Sequence, residues 1–554
     1  MILRKKVEKS ACMGEGNEDY SQGISRRRFV KMAGGLFLAL SAAEQPLLAK
    51  PQNKSREATG KASSARTGAT DTKQSKSGFK LGPWRGDDFT MGHKLRNGEV
   101  PQFGKMESSQ VDFVIVGGGM AALTAAYRLR HENFLLLEQY QETGGQSRGE
   151  TTREGLSYSL GAAYYCDDEG ATAKLVAEMG LKPQAFGGDK NDFFFRQKTY
   201  NEADKSLQNL LYQGMKDLEP IIRPVKDLDL SINDNFSQAL TLDKGKFKDL
   251  LTPLSPAFRT FLDSHLKSSI CGTSEDVSII SGSWLLQDLF QKSYVLPGGN
   301  PALGRALRQA LNSCGHRIRT DAFVWSARVD DSGATVVYEN KGRLKQVRCR
   351  HLIMATPPMV TGRILSGVAN ECKGPLFAFR YGSYLVANLI FDEEVFPGTY
   401  DNFRALSQEC GITDIIKAET PYVKEGAYQK SMGSVLTVYR PWSPGTEGRE
   451  KLAAGDRNMF AREILSGVEI QAAEGGRPLA GNWRQHLKEV ILSRWGHAII
   501  VPTPGYFQRL AALSRANQSP VYSLAHSSLA GIQCLESAVI AGERAARRAL
   551  SGKG

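Results

Sequence analysis

The sequence predicts an α/β fold built around a Rossmann-like dinucleotide-binding unit, and three observations carry that prediction. A short apolar run at residues 111–116 is cut at once by Gly117, Gly118 and Gly119. Helical apolar spacing follows from 120 to about 130, and a second apolar run, Phe134–Leu137, ends at Glu138. The chain is otherwise an ordinary globular one, 554 residues with 41% hydrophobic and 23% charged, long enough for two or more domains' worth of core.

Taken in order, the first element is SRRRFVKMAGGLFLAL at residues 25–40, where arginines run directly into a weakly apolar segment. Ser25, Arg26, Arg27, Arg28, Phe29, Val30 and Lys31 resemble the twin-arginine export consensus. A basic n-region, an apolar run of about a dozen residues softened by Gly34 and Gly35, and small residues afterwards make a cleavable signal. That run is too short to span a bilayer stably, so no permanent membrane span is expected. Cleavage after Ala43 or after Ala49 fits equally, and Cys12 precedes the run, which argues against a lipoprotein anchor. The resemblance implies residues 1–49 as the signal, the twin-arginine translocase as a partner, and the periplasm as destination.

Residues 50–78 hold almost no large apolar side chain and much Ser, Thr, Ala, Gly and Lys, which predicts a disordered linker. Trp84, Phe89 and Phe103 return in residues 79–110, predicting an irregular arm along the body. The net charge of +13 resides mainly here: residues 1–110 carry about 20 Lys plus Arg against about 11 Asp plus Glu. The remaining body is nearly neutral, so no nucleic-acid partner is expected. The eight cysteines form no C-x-x-C and no zinc-like spacing, which leaves covalent haem, structural zinc and thioredoxin chemistry without support and predicts scattered, mostly buried thiols. No metal site is expected.

Each position of the dinucleotide unit has a mechanical reason. Gly117 permits the tight turn, Gly118 continues it, Gly119 lets the backbone approach a pyrophosphate, and Ala122 allows helix to pack closely on strand. Amides and dipole at the helix start favour phosphate. Glu138, about 20 residues on, accepts from both ribose hydroxyls and disfavours a 2′-phosphate. The unit alone does not separate NAD from FAD.

Four later motifs do. ETGGQSR at 142–148, VLPGGNPALGRAL from Val295, HLIMATPP from His351 and ESAVIAGERAA at 536–546 resemble, in order, segments of the flavin-containing amine oxidase and phytoene desaturase superfamily. The resemblance implies FAD in a Rossmann-like domain of the glutathione reductase/amine oxidase type, assembled from 111–164, 295–361 and 499–551. An inserted α+β substrate domain would comprise 165–294 and 362–498. By the same resemblance Gly117, Gly119 and Ala122 hold the pyrophosphate, while Gly144, Gly145 and Arg148 pass near diphosphate and flavin. Gly161 lies on a strand beside the flavin and Val324 by the adenine. Glu536, Ser537 and Ala538 open a helix whose amino end faces the ribityl chain and the flavin's pyrimidine edge. Two departures stand out: Gln146 replaces the Arg that usually follows the double glycine, and AHSS at 525–528 replaces Ala-Gly and an acid.

For catalysis the resemblance offers Tyr164, which with Tyr165 either faces the cavity or is core, Tyr384 on the strand after Ala-Thr-Pro-Pro, and Trp495 with His497. The last two resemble a segment of the spermidine dehydrogenase branch and would stack on and polarise a substrate, or simply pack. Val386 falls where the amine oxidases carry a lysine that holds a water at flavin N5, which argues for a dehydrogenase passing electrons to a quinone or carrier. The expectation is therefore an exported FAD-dependent oxidoreductase transferring hydride from an amine or polyamine to flavin N5. A desaturase or isomerase of an apolar lipid, and a non-catalytic flavin-binding protein, are the alternatives.

Overall fold

Along the strand Glu107–Val116 the side chains alternate between two cores: Phe113 and Ile115 pack on helices, Val114 and Val116 on the opposite face. This strand is the middle of an eight-stranded sheet in a computed structural model of the protein. The structure describes residues 78–552, apart from 167–168, 187–190, 196–197, 202–203, 223–236, 289–292, 316–317, 405–410 and 517–518. The signal-like segment and the linker lie outside the described residues.

Glu107–Val116 pairs in parallel with Phe134–Leu137 on one side and with the long strand Arg343–Met354 on the other. Arg343–Met354 is shared: its first half pairs antiparallel with Gly333–Asn340, and its end, Leu352–Met354, pairs in parallel with Tyr522–Leu524. Ala322–Asp330 and Gly333–Asn340 form an antiparallel hairpin. Segments hundreds of residues apart thus complete one sheet. Its helical face carries Met120–Arg128 and the terminal helix Leu535–Ser551. Gly542 allows their close approach, since a Cβ there would fall 2.3 Å from the Ala121 carbonyl oxygen.

A second sheet of nine strands has Leu487–Ile500, Tyr381–Phe391 and Ser434–Trp442 as adjacent antiparallel members. The helices Pro256–Ile270, Ile279–Asp288 and Tyr506–Ala516 enclose a separate apolar core against it. The arm is more regular than expected: Lys80–Leu81 and Arg85–Gly86 extend this sheet in parallel beside Leu487–Ile500, Thr90–Arg96 is helical, and Glu107 already belongs to the dinucleotide strand. The physical reason is that a sheet edge offers unpaired amides and carbonyls that an adjacent chain satisfies. Among the described residues no helix is long and apolar enough to cross a membrane. Cys271, Cys349 and Cys372 are buried, Cys166 and Cys314 half-buried and Cys534 exposed.

Candidate active site

The glycine turn has the geometry its spacing implies. Gly117 adopts φ +106°, where a side chain would be strained and a Cβ would fall 2.7 Å from the Ala355 carbonyl oxygen. Gly118 admits Glu138, whose Oε2 lies 2.5 Å from where a Cβ would stand. Gly119 differs from both: its missing Cβ faces open space, and it begins the helix Met120–Arg128 with no side chain capping it. Uncapped amides beside open space suit an anionic group. Ala122 is fully buried under the sheet.

The double glycine packs directly on this turn. Gly144 donates its amide to the Gly118 carbonyl at 2.7 Å, and Gly145 approaches so closely that a Cβ would stand 3.0 Å from the Gly119 Cα. Glu138 is buried and accepts the Tyr140 amide at 2.8 Å. Burial raises its carboxyl above the ordinary range, while the Tyr140 amide and Arg148 draw it back. Arg148 donates to the Gly145 carbonyl at 3.1 Å and lies over two rings, Tyr140 at 4.4 Å and Trp495 at 5.5 Å. It therefore runs from the neighbourhood of Glu138 toward the second sheet. Val324 is buried at a bulge in its strand, and Ala322 near it donates to the Glu138 carbonyl at 2.8 Å.

Beyond Arg148 the chain is gripped by the second sheet at three consecutive carbonyls. Asn388 donates to Ser159 at 3.1 Å, Trp495 Nε1 to Leu160 at 2.9 Å, and Tyr439 Oη to Gly161 at 2.7 Å, one side chain from each of three adjacent strands. Gly161 is tight on its other side, where a Cβ would fall 2.2 Å from the Gln146 carbonyl oxygen. Around this seam Val386, Trp495 and Ala498 are buried with Tyr384 and Tyr439 against them. Val386 thus contributes an apolar side chain to a largely aromatic wall, and the Arg148 guanidinium lies over the Trp495 ring of that wall.

The expected catalytic side chains are placed as follows. Trp495 and Val386 share the wall, and Tyr384 meets Tyr439 edge-on at 6.3 Å while its hydroxyl donates to the Ser268 carbonyl. Tyr384 therefore offers a ring rather than a hydroxyl. Tyr164 packs, as Tyr439 also does, on the adjoining cluster of Ala163, Phe186, Val295, Tyr400 and Ile416, its hydroxyl 3.4 Å from Asp401 Oδ2 and its ring edge-on to Tyr400. Tyr165 is core, stacked on Tyr294. His497 lies edge-on to Tyr381, and its Nε2 is 2.9 Å from Arg449 Nη1. Burial, then Arg449, pushes its pKa down to about 4, so near neutral pH it is uncharged, Nε2 accepts from Arg449, and Nδ1 keeps the proton.

The terminal helix opens one residue earlier than its motif, with Cys534 as cap: Cys534 Sγ accepts from the Ser537 amide and Ser537 Oγ from the Cys534 amide. Ser537 is buried within that cap and Ala538 is buried next to it. The cap takes the Ser537 amide, and the helix begins with the amides of Leu535 and Glu536. The Glu536 carboxylate is committed elsewhere, accepting the amides of Ala171 at 2.6 Å and Thr172 at 2.7 Å at the start of the helix Ala171–Glu178. It caps a neighbouring helix, so only its backbone is left for a cofactor. Sequence reasoning missed Tyr439, Arg449 and Asp87, whose roles depend on partners far away in the chain.

These residues fit a dinucleotide: an open glycine turn at an uncapped helix start, a buried acid beyond it, and the start of a second helix from the far terminus, whose cap takes the Ser537 amide. The family model for flavin containing amine oxidoreductase matches residues 120–550. Among solved structures, wild-type putrescine oxidase bound to putrescine is similar at 16% identity and a TM-score of 0.60, over 80% of this chain and 100% of that one. Cyclohexylamine oxidase from Brevibacterium oxydans IH-35A is similar at 16% identity and 0.60, over 80% and 99%. At that identity the structures establish the fold alone. No curated protein gives a significant match to the sequence.

Proposed function

Because the chain belongs to the flavin-containing amine oxidoreductase family, and is thus an FAD-dependent oxidoreductase, we propose that it is an exported amine dehydrogenase that oxidises a primary or secondary amine, with polyamines as the favoured class. FAD, when bound, would supply the two-electron acceptor that hydride transfer from the amine to flavin N5 requires. Gly117, Gly118, Gly119 and Ala122 would admit the pyrophosphate to the helix start, with Glu138 on the adenosine ribose and Val324 beside the adenine. Gly144, Gly145, Arg148 and Gly161 would line the path to the flavin, and the amides at Leu535 and Glu536, held by Ser537 and Ala538, would face its pyrimidine edge.

The observation that carries the dehydrogenase reading is the wall of Val386, Tyr384, Tyr439, Trp495 and Ala498. An apolar, water-poor wall favours the neutral amine, which is the form that gives up hydride, and disfavours the ammonium by desolvation. Aromatic faces still attract a remote ammonium of a longer amine. His497, held neutral with its proton on Nδ1, would polarise a substrate as a hydrogen-bond donor; Arg449 on Nε2 bars it from acting as a base there. Val386, where the amine oxidases carry a lysine, has no group that could hold a water, which supports a quinone or carrier as acceptor.

Anaerobic spectra test the reading. The flavin bands should bleach on adding spermidine, and return quickly with a soluble quinone but slowly with air. Bleaching by no amine, or reoxidation by air as fast as by quinone, contradicts it. Export rests on the resemblance of residues 25–31: Arg26→Lys with Arg27→Lys should leave yellow, folded protein in the cytoplasm.

A further inference from the structure

The arm ahead of the dinucleotide strand reaches further than a sheet edge requires. Arg85 and Gly86 pair with Ser493 and Arg494, and the Asp87 amide donates to the Arg494 carbonyl at 2.7 Å. Gly86 has φ +82°, and a Cβ there would fall 2.3 Å from the Arg494 carbonyl oxygen, so the arm lies this close only through a glycine. From that seat three contacts leave the ladder. The Gly86 carbonyl accepts Arg148 Nη2 at 2.9 Å, Asp87 Oδ2 accepts the Gly496 amide at 2.9 Å, and the Asp88 amide donates to Tyr140 Oη at 3.2 Å. Arg494 is in turn fixed on the arm, over Trp84 at 5.2 Å and Phe89 at 4.3 Å.

We propose that Asp87 is a positioning residue of the flavin site, and that the arm acts as an intramolecular clamp which holds Arg148 and the Trp495–Gly496–His497 stretch in register across the two sheets. The inference rests on the reading of Arg148 and Trp495 as residues facing cofactor and substrate. Arg148 is a long, rotamer-rich side chain, and ordering it costs conformational entropy unless acceptors fix it beforehand. Its two carbonyl acceptors come from different parts of the chain, Gly145 in the dinucleotide domain and Gly86 in the arm. Its two aromatic plates are likewise split: Tyr140, whose hydroxyl meets the arm, and Trp495, whose following amide Asp87 holds. Burial lifts the Asp87 carboxyl above its ordinary range, while the Gly496 amide and then Arg148 pull it down. The arm therefore determines on which side of the seam Arg148 rests, and a preorganised cation there tightens the grip on a dianionic pyrophosphate without new contacts.

The experiment compares wild type, Asp87→Ala and Asp87→Asn as full-length holoproteins. Asp87→Ala should raise the FAD dissociation constant at least tenfold, shift the bound-flavin absorption band, and slow flavin reduction at saturating amine. Asp87→Asn, which keeps an acceptor for the Gly496 amide, should recover at least half of the loss on a logarithmic scale. A role confined to covering the sheet edge would lower the melting temperature alone. FAD affinity and reduction rate within twofold of wild type in both variants overturn the proposal, whatever their melting temperatures. Should Asp87→Ala fail to fold, Asp87→Asn decides by its own spectrum and reduction rate. Wild-type protein that binds no flavin would instead sink the cofactor reading, so the two failures are distinct.

Discussion

At the residue scale, three adjacent glycines answer three different constraints, and substitution should separate them. Gly117 is fixed by φ +106° and by the Ala355 carbonyl oxygen at 2.7 Å from a Cβ, so Gly117→Ala strains the fold itself. Its cost should be about 1–3 kcal/mol of stability, read as a lower melting temperature of the apoprotein. Gly119 has ordinary φ and open space where a Cβ would stand, so Gly119→Ala should leave the apoprotein's melting temperature nearly unchanged while weakening FAD binding severalfold or more. Equal melting losses in both, or unaltered flavin affinity in Gly119→Ala, would contradict this division. Roles of this kind were legible in the sequence because a glycine turn and its acid are local: turn, helix start and Glu138 fall within some 20 residues. Glu536 was less so. Its motif position was legible, but the partners of its carboxylate, the amides of Ala171 and Thr172, lie some 365 residues earlier.

At the element scale, the terminal helix does the most to close the site, since it packs on the helix of the glycine turn and anchors a third helix. Glu536 caps the start of Ala171–Glu178, and Arg128 binds Glu178 at its end while reaching Glu543 on the terminal helix, at 2.6 Å in each case. The point of closest approach is Gly542, where a Cβ would meet Ala121 carbonyl oxygen at 2.3 Å and Thr124 Cβ at 2.8 Å. Gly542→Val should therefore push the helix off by overpacking, at a cost of about 1–3 kcal/mol or more. Flavin should be lost along with stability, because the Leu535–Glu536 amides move with the helix. Purified Gly542→Val that carries flavin at the wild-type ratio would argue that this helix end does not face the cofactor. The helix itself was readable through its motif's resemblance, and Phe134–Leu137 as a short apolar run. The arm was unreadable by the same means: its strands are two residues each, too short for any period, and become strands only against Leu487–Ile500.

At the scale of the whole molecule, the dinucleotide sheet is a joint made from three separated stretches: Glu107–Leu137, the strands from Ile318 to Ser366, and Tyr522–Leu524. The second sheet is bolted to that joint through Asn388, Tyr439 and Trp495, each donating to one of three successive carbonyls. A ligand lying on the joint touches every stretch at once, and no stretch can open without releasing it. Unfolding of the body should thus be a single transition in which flavin release and loss of secondary structure coincide. A ligand that binds only the folded state stabilises it by RT ln(1 + [L]/Kd), about 2.7 kcal/mol at a hundredfold excess over Kd. Added FAD should accordingly raise the midpoint in proportion to the logarithm of its concentration, with both signals moving together. For a body of over 400 residues that amounts to a few degrees at most, since the entropy of unfolding grows with chain length. Flavin fluorescence and far-UV circular dichroism, followed in one thermal scan, make the check. If flavin left well below the temperature at which the dichroism falls, the cofactor would be resting on one stretch alone, and the joint would hold together without it.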